Sequence, residues 1–172
     1  MKKVFVALTA FLALCACSSE KSFEYRGLPL SLAPSAFIDS MSHRGFAVDS
    51  AAAPDSTGRV VVLKNPAEKY HVLLAQAGGA LQAVQENYVI STNDSTRQLW
   101  QQLRDQLEKD LGAWPNCPVL KDDHKVAKFE LPGGFITVTL KNTYTPTLQV
   151  LYEVKKCESF MFCVLNDASG YM

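Results

Sequence analysis

The sequence predicts an α+β domain in which a mostly antiparallel sheet of about six to eight strands carries two helices on one face. Three observations predict it. Residues 31–44 and 95–111 set apolar side chains three and four apart, the helical period, and each stretch runs into a glycine, Gly45 and Gly112. Residues 59–64, 69–76, 81–90, 126–131, 135–141 and 147–155 are rich in β-branched and aromatic side chains. In the last of these, Leu148, Val150, Tyr152 and Val154 alternate with Thr147, Gln149, Glu153 and Lys155, the pattern of a sheet with one buried and one wet face. Helix followed by three strands occurs twice, so a tandem α-β-β-β repeat is expected, architectural rather than one of sequence identity.

The chain begins outside that domain. Met1-Lys2-Lys3 precedes an apolar run over residues 4–14 interrupted only by Thr9, the layout of an export signal. As a helix this run reaches roughly 16 Å, about half of a ~30 Å hydrocarbon core, too short to span it. Leu14-Cys15-Ala16-Cys17-Ser18-Ser19 then matches the lipobox cut by signal peptidase II, with Leu three positions before the cysteine and a small residue directly before it. Cys15 would put the bulky Leu14 at the cut site. Residues 1–16 therefore read as a lipoprotein signal peptide, with Cys17 as the lipidation site. The thiol accepts a diacylglyceryl group and the new amino group a further acyl chain of the palmitate kind. Two or three chains, at about 0.8 kcal/mol per buried methylene, anchor stably where one binds only marginally. Ser18 stands where an aspartate favours inner-membrane retention, so the expected address is the outer membrane, on its periplasmic side or at the cell surface.

The whole chain balances 17 basic against 17 acidic residues, and losing Lys2 and Lys3 with the signal leaves it slightly acidic. No clustered basic face argues for nucleic acid. Residues 17–24 form a polar tether, and residues 25–172 suit one domain with its own core. Ser31 or Ser35 caps the first helix, Pro34 fits its first turn, and Phe37, Ile38 and Met41 make its apolar face. Gly45 ends it with Phe46 as the apolar companion, and residues 49–58 form a loop by composition. Gly78-Gly79 punctuates a hairpin between the second and third strands. Ser95 with Gln98 fits a capping box ahead of Leu99, Trp100, Leu103, Leu107 and Leu111. Pro132-Gly133-Gly134 joins the first two strands of the second half.

Several of these positions carry a resemblance. Gly27-Leu28-Pro29-Leu30, then Phe37, Met41 and Gly45-Phe46, then Trp100 with Leu103, Leu107 and Leu111, resemble a group of small lipoproteins from Bacteroidetes related to PepSY-like and β-lactamase-inhibitor-like tandem α+β folds. The likeness covers about residues 24–155 and departs at Lys64-Asn65, where the group often has a glycine. It implies a fold and, by analogy, an inhibitory role, and brings no general activity with it.

Candidate chemistry is sparse. With Cys17 lipidated, Cys117, Cys157 and Cys163 remain, so at most one internal disulfide forms. Export permits it, and Cys157 with Cys163 would close a short loop; Cys117 with Cys163, or reduced thiols throughout, stay open alternatives. His43, His71 and His124 fall on separate elements without zinc-ligand spacing. Asp122-Asp123-His124 is the one place where carboxylates meet an imidazole, and a solvated turn explains it better than a metal or proton-transfer site. The chain holds no Gly-x-Ser-x-Gly, no phosphate-binding glycine loop and no Cys-x-x-Cys. No catalytic, metal-binding or cofactor-binding residue is therefore assigned and no cofactor is expected. Trp100 suits a core, whereas Trp114, between Ala113 and Pro115, suits an exposed contact. The apolar stretch at residues 160–165 reads as a further strand or as a segment offered to a partner. Asp-Ser/Thr triplets beginning at Asp39, Asp49, Asp55 and Asp94 resemble O-glycan acceptors, though turn and cap chemistry accounts for each.

The expected function is a non-catalytic binding, inhibitory or envelope-assembly lipoprotein, held to a membrane by its lipid and presenting its open sheet face or an edge to a protein partner. Leu151 and Phe135 are the apolar side chains expected on that outer face. The alternatives are a carrier of a small apolar ligand, which needs an internal cavity, and a periplasmic hydrolase or metal-dependent enzyme, which needs a cleft of converging titratable groups.

Overall fold

The computed structural model describes residues 23–52, 59–142 and 144–155. The signal peptide at residues 1–16, Cys17 and its tether, and the Cys157–Cys163 pair lie outside the described residues.

The first ordered element is a tight hairpin, β1 (Glu24–Tyr25) and β2 (Leu28–Pro29). Its turn holds Arg26 at φ 48° and Gly27 at φ 78°, left-handed conformations that come readily to glycine and cost an arginine strain. Helix α1 (Pro34–Ser42) follows, with Pro34 in its first turn and His43 as its C-cap. Neither Ser31 nor Ser35 caps it. Ala33 occupies the N-cap and makes no side-chain bond. Gly45 then turns at φ 86°, and Phe46 is buried beside Tyr70.

The chain next builds β3 (Ala47–Val48), β4 (Val60–Lys64), β5 (Tyr70–Ala77) and β6 (Ala80–Tyr88), each antiparallel to the one before. Gly78 and Gly79, both at positive φ, make the β5–β6 turn, which suits the right-handed twist of the strands it joins. Helix α2 (Asn93–Leu111) crosses over, and β7 (Asn116–Lys121), β8 (His124–Leu131), β9 (Gly134–Asn142) and β10 (Pro146–Val154) complete the fold. The α2 cap lies one turn earlier than Ser95. Thr92 accepts from the Ser95 backbone N–H at 3.2 Å, and Gly112 ends the helix at φ 61°.

The expected α+β class with a tandem α-β-β-β repeat is corrected by this arrangement. Strand accounts for 48% of the structure against 22% for helix, in one eight-stranded sheet and one two-stranded sheet. The large sheet runs β3-β4-β5-β6-β10-β9-β8-β7. Its central ladder pairs Leu148 with Tyr88 through to Glu153 with Ala83, so one unbroken sheet runs where a boundary between repeats would lie. The helices, of 9 and 19 residues, are unequal as well. The hairpin, β3 and β7 escape the sequence pattern for physical reasons. Two-residue strands are too short to alternate, and Pro118 with a register shift between Asn116 and Val119 interrupts β7.

Phe37 and Met41 from α1 and Trp100 from α2 share one core with Leu63, Val72, Leu74, Val84, Phe129, Ile136, Val138, Leu140, Leu148 and Val150. Trp100 is fully buried and its indole N–H donates to the Val138 carbonyl at 3.2 Å. A second, smaller cluster of Val60, Leu73, Ala75 and Ala83 holds no residue of either helix. It lies on the opposite face, because side chains alternate along each strand.

Candidate functional site

The face of the sheet turned away from the helices can be read row by row from the strand register. One row runs Lys64, His71, Asn87, Gln149, Thr139, Val126 across β4, β5, β6, β10, β9 and β8. The next runs Val62, Leu73, Gln85, Leu151, Thr137, Lys128, and the third Val60, Ala75, Ala83, Glu153, Phe135, Glu130. The face thus changes character from one side to the other. Apart from Gln85 on β6, its β4–β5–β6 side is apolar in the second and third rows, while its β9–β8 side is mostly polar and charged, with Val126 and Phe135 among those groups.

A groove of about 380 Å³ lies on this half, where Gln85, Thr137, Thr139, Gln149, His124, Lys128, Lys141 and Glu153 stand around an apolar floor of Val126 and Leu151. Leu151 and Phe135 both stand on this face, half-buried. The Lys128 ammonium sits 3.9 Å from the Phe135 ring centroid, within cation–π range. Above the groove, a hollow of about 230 Å³ is lined by His71, Asn87, Val89, Ile90, Pro146 and Gln149. Asn87 is buried. Its side-chain oxygen accepts from Gln85 Nε2 at 2.6 Å, while its Nδ2 is buried with no acceptor among the described residues. A buried donor left without an acceptor costs free energy that an incoming carbonyl can restore. Burial lowers the His71 pKa from its usual value of 6.5, Lys64 lowers it further, and Asp49 opposes both.

The most concentrated charge lies on the other face and is structural. The buried Glu86 carboxylate, from β6, accepts from the Tyr25 hydroxyl at 2.9 Å and from Arg26 Nε at 2.6 Å on one oxygen, and from the Tyr88 hydroxyl at 2.6 Å on the other. The Arg26 guanidinium also lies 4.9 Å from the Tyr70 ring centroid, and Tyr25 meets Tyr152 edge-on at 5.1 Å. Burial first, and then the neighbouring Glu86 charge, push the Tyr25 and Tyr88 hydroxyls well above the usual phenol range, so both stay protonated as donors. For Arg26 burial works against the cation, but the bond to Glu86 and its charge outweigh it. This clasp ties the N-terminal hairpin to the middle of the sheet. Sequence reasoning missed it, because Tyr25, Arg26 and Glu86 are joined only by the folded chain. A glutamate inside the otherwise strand-like stretch at residues 81–90 was the one available signal.

The residues singled out from the sequence do not converge. His43 caps α1 with Nδ1 2.8 Å from the Asp39 carbonyl, His71 lies in β5, and His124 opens β8. Asp122 and Asp123 form the β7–β8 turn, where their carbonyls accept from Arg97 Nε at 3.2 Å and from the Asn142 N–H at 2.7 Å. The strand partners of His124 are Lys121 and Lys141. Among the described residues, no three of His, Cys, Asp and Glu gather as metal ligands. Cys117 is a free, half-buried thiol packed against the main core. Trp114 is 85% exposed, over a shallow concavity that includes Arg104, Asp105, Glu108 and Lys109. No helix among the described residues is long and apolar enough to cross a membrane.

Compared with known proteins, the chain matches no family model, no curated protein and no solved structure.

Proposed function

We propose that this protein is a lipid-anchored envelope protein that binds another protein without catalysis, through the polar half of the helix-free sheet face. The groove carries the reading. It offers amide and hydroxyl groups from Gln85, Thr137, Thr139 and Gln149 beside the ammonium groups of Lys128 and Lys141. Asn87 adds a buried donor that a partner's carbonyl would satisfy. Such a surface recognises an extended, hydrogen-bonding segment carrying acidic side chains, since Glu153 alone among these groups is acidic. Lipid on Cys17 supplies the anchor, and the polar stretch over residues 18–22, ahead of Phe23 and β1, leaves the folded body in water.

Crosslinking in intact cells tests the binding surface. A protein captured by the parent should be lost from Thr139→Arg and Lys128→Glu variants and kept by Gln106→Arg, a change on the exposed side of α2. Capture that is indifferent to all three changes sinks the assignment of the face. Anchorage is tested separately: a Cys17→Ser chain should lose fatty-acid label and leave the membrane fraction.

A further inference from the structure

The connections between elements gather at opposite ends of the sheet. Phe23, ahead of β1, marks one end: it lies against Gly133 and Gly134 at the β8–β9 turn, and its carbonyl accepts from the Leu30 N–H. The β5–β6 turn is at the same end, since Glu153 near the close of β10 pairs with both Ala83 and Phe135. So is the α2–β7 connection, because Asn116 pairs with Lys128, three residues before Leu131 reaches that turn.

Four connections among the described residues therefore surround the point where the chain enters the fold: 30–33, 78–79, 112–115 and 132–133. They read Leu-Ser-Leu-Ala, Gly-Gly, Gly-Ala-Trp-Pro and Pro-Gly, without one charged side chain. Trp114 stands out from them, 85% exposed. At the far end three connections are charged, with Arg44 between α1 and β3, Glu68 and Lys69 between β4 and β5, and Asp122 and Asp123 between β7 and β8. Tyr144, between β9 and β10, is fully exposed there.

This polarity suits a lipid surface at the entry end. A charged turn pressed onto headgroups and acyl chains loses hydration, whereas glycine, proline and alanine approach without that cost. Tryptophan, an apolar ring with one N–H, favours the level of the headgroups. Around the four connections stand Arg59, Lys109 and Lys155 against Glu24, Asp110 and Glu130, a balance that selects no anionic lipid. Cys17 and Phe23 are six residues apart, so however the chain between them is arranged, it spans no more than roughly 20 Å.

We propose that this uncharged end rests on the phospholipid surface holding the lipidated cysteine, with the Trp114 indole seated among the headgroups. This orientation rests on the lipid anchor proposed above and adds to it. The strands then rise from the bilayer, the charged connections and Tyr144 face water, and the helix-free face opens sideways to a partner.

Full-length lipidated protein in phosphatidylcholine vesicles tests it, with part of the lipid brominated on its acyl chains close to the headgroup as a contact quencher of tryptophan. Fatty-acid label and flotation with the vesicles establish anchorage first. Trp100 is buried in the core, about 18 Å along the axis of α2 from Gly112, and serves as the unquenched reference. Bromine should quench the anchored parent several-fold more than the anchored Trp114→Phe variant. In a chain carrying Trp114→Phe and Tyr144→Trp, the new tryptophan should ignore bromine and stay open to iodide. An anchored parent indifferent to bromine, or equal quenching at positions 114 and 144, overturns the orientation and leaves the anchor standing. A chain that takes no fatty-acid label and does not float overturns both.

Discussion

Replacing Arg26 by methionine keeps the length of the side chain and removes its charge. Glu86 would then remain buried at the middle of the sheet with two tyrosine hydroxyls for partners and no cation. Removing one member of a buried pair costs about 3–5 kcal/mol, because the other charge is left uncompensated. The Arg26 side chain is 44% exposed, so water already screens part of the attraction and the lower figure applies, about 3 kcal/mol. Arg26→Asn separates charge from backbone. Asparagine accepts the φ of 48° more readily than arginine, returning about 0.5–1 kcal/mol and leaving a net loss of about 2 kcal/mol. Glu86→Gln is milder still, at about 1–2 kcal/mol, since an amide keeps the tyrosine contacts and the half-exposed guanidinium can turn to water. In a domain of this size each kcal/mol moves the melting temperature by about 2–4 °C, so Arg26→Met should melt about 6–12 °C below the parent. Circular dichroism melts at pH 7, with urea titrations for the midpoint, read the series. Equal melting of the parent and both Arg26 variants would refute the reasoning, since it would mean that Glu86 needs no counter-charge.

Three further outcomes follow from other sites. A Cβ at Gly134 would run into the Glu153 carbonyl and the Phe23 ring, so Gly134→Ala should lower stability by about 2–3 kcal/mol, and an unchanged urea midpoint would contradict that packing. The His71 pKa is lowered from 6.5, so the unfolded chain takes up that proton at higher pH than the folded one. Stability should be full above about pH 6.5 and fall as the pH drops toward the folded value, with His71→Gln flattening the slope; equal slopes would remove His71 as the source. In fluorescence, Trp114→Phe leaves the buried Trp100, whose emission iodide should fail to quench, whereas Trp100→Phe leaves the exposed Trp114, which iodide should quench strongly. Equal quenching of the two variants would contradict these burials.

How much of the molecule the sequence disclosed depended on the range of the interactions involved. Gly78-Gly79, the Trp100–Leu111 face and the alternation of β10 are local signals, set by φ or by side-chain period, and the structure uses each of them. The α2 cap was misplaced because Ser95 also satisfies a capping pattern, and only the folded helix shows that it donates to Thr92. The fold class went wrong on short and interrupted strands, β3 and β7 above all, since pairing across a sheet makes a strand of two residues that no periodicity marks. The candidate site was legible only in outline. Leu151 and Phe135 could be assigned to the outer face by parity, but the division of that face into apolar and polar halves follows from which strands are neighbours. β6 beside β10 is a pairing of residues 60 to 70 positions apart in sequence.

The hairpin clasp also bears on mechanics. Traction from the N-terminal side would reach the fold at Phe23, whose carbonyl accepts from the Leu30 N–H at 2.9 Å across the base of the hairpin. Alone, so short a hairpin would unzip one bond at a time. Arg26 at its tip, however, is bound to Glu86, on a strand with three neighbours to one side and four to the other. A tug is therefore delivered to the interior of the sheet, where many bonds must shear together, and the peripheral strands β3 and β7, the easiest to peel, are spared.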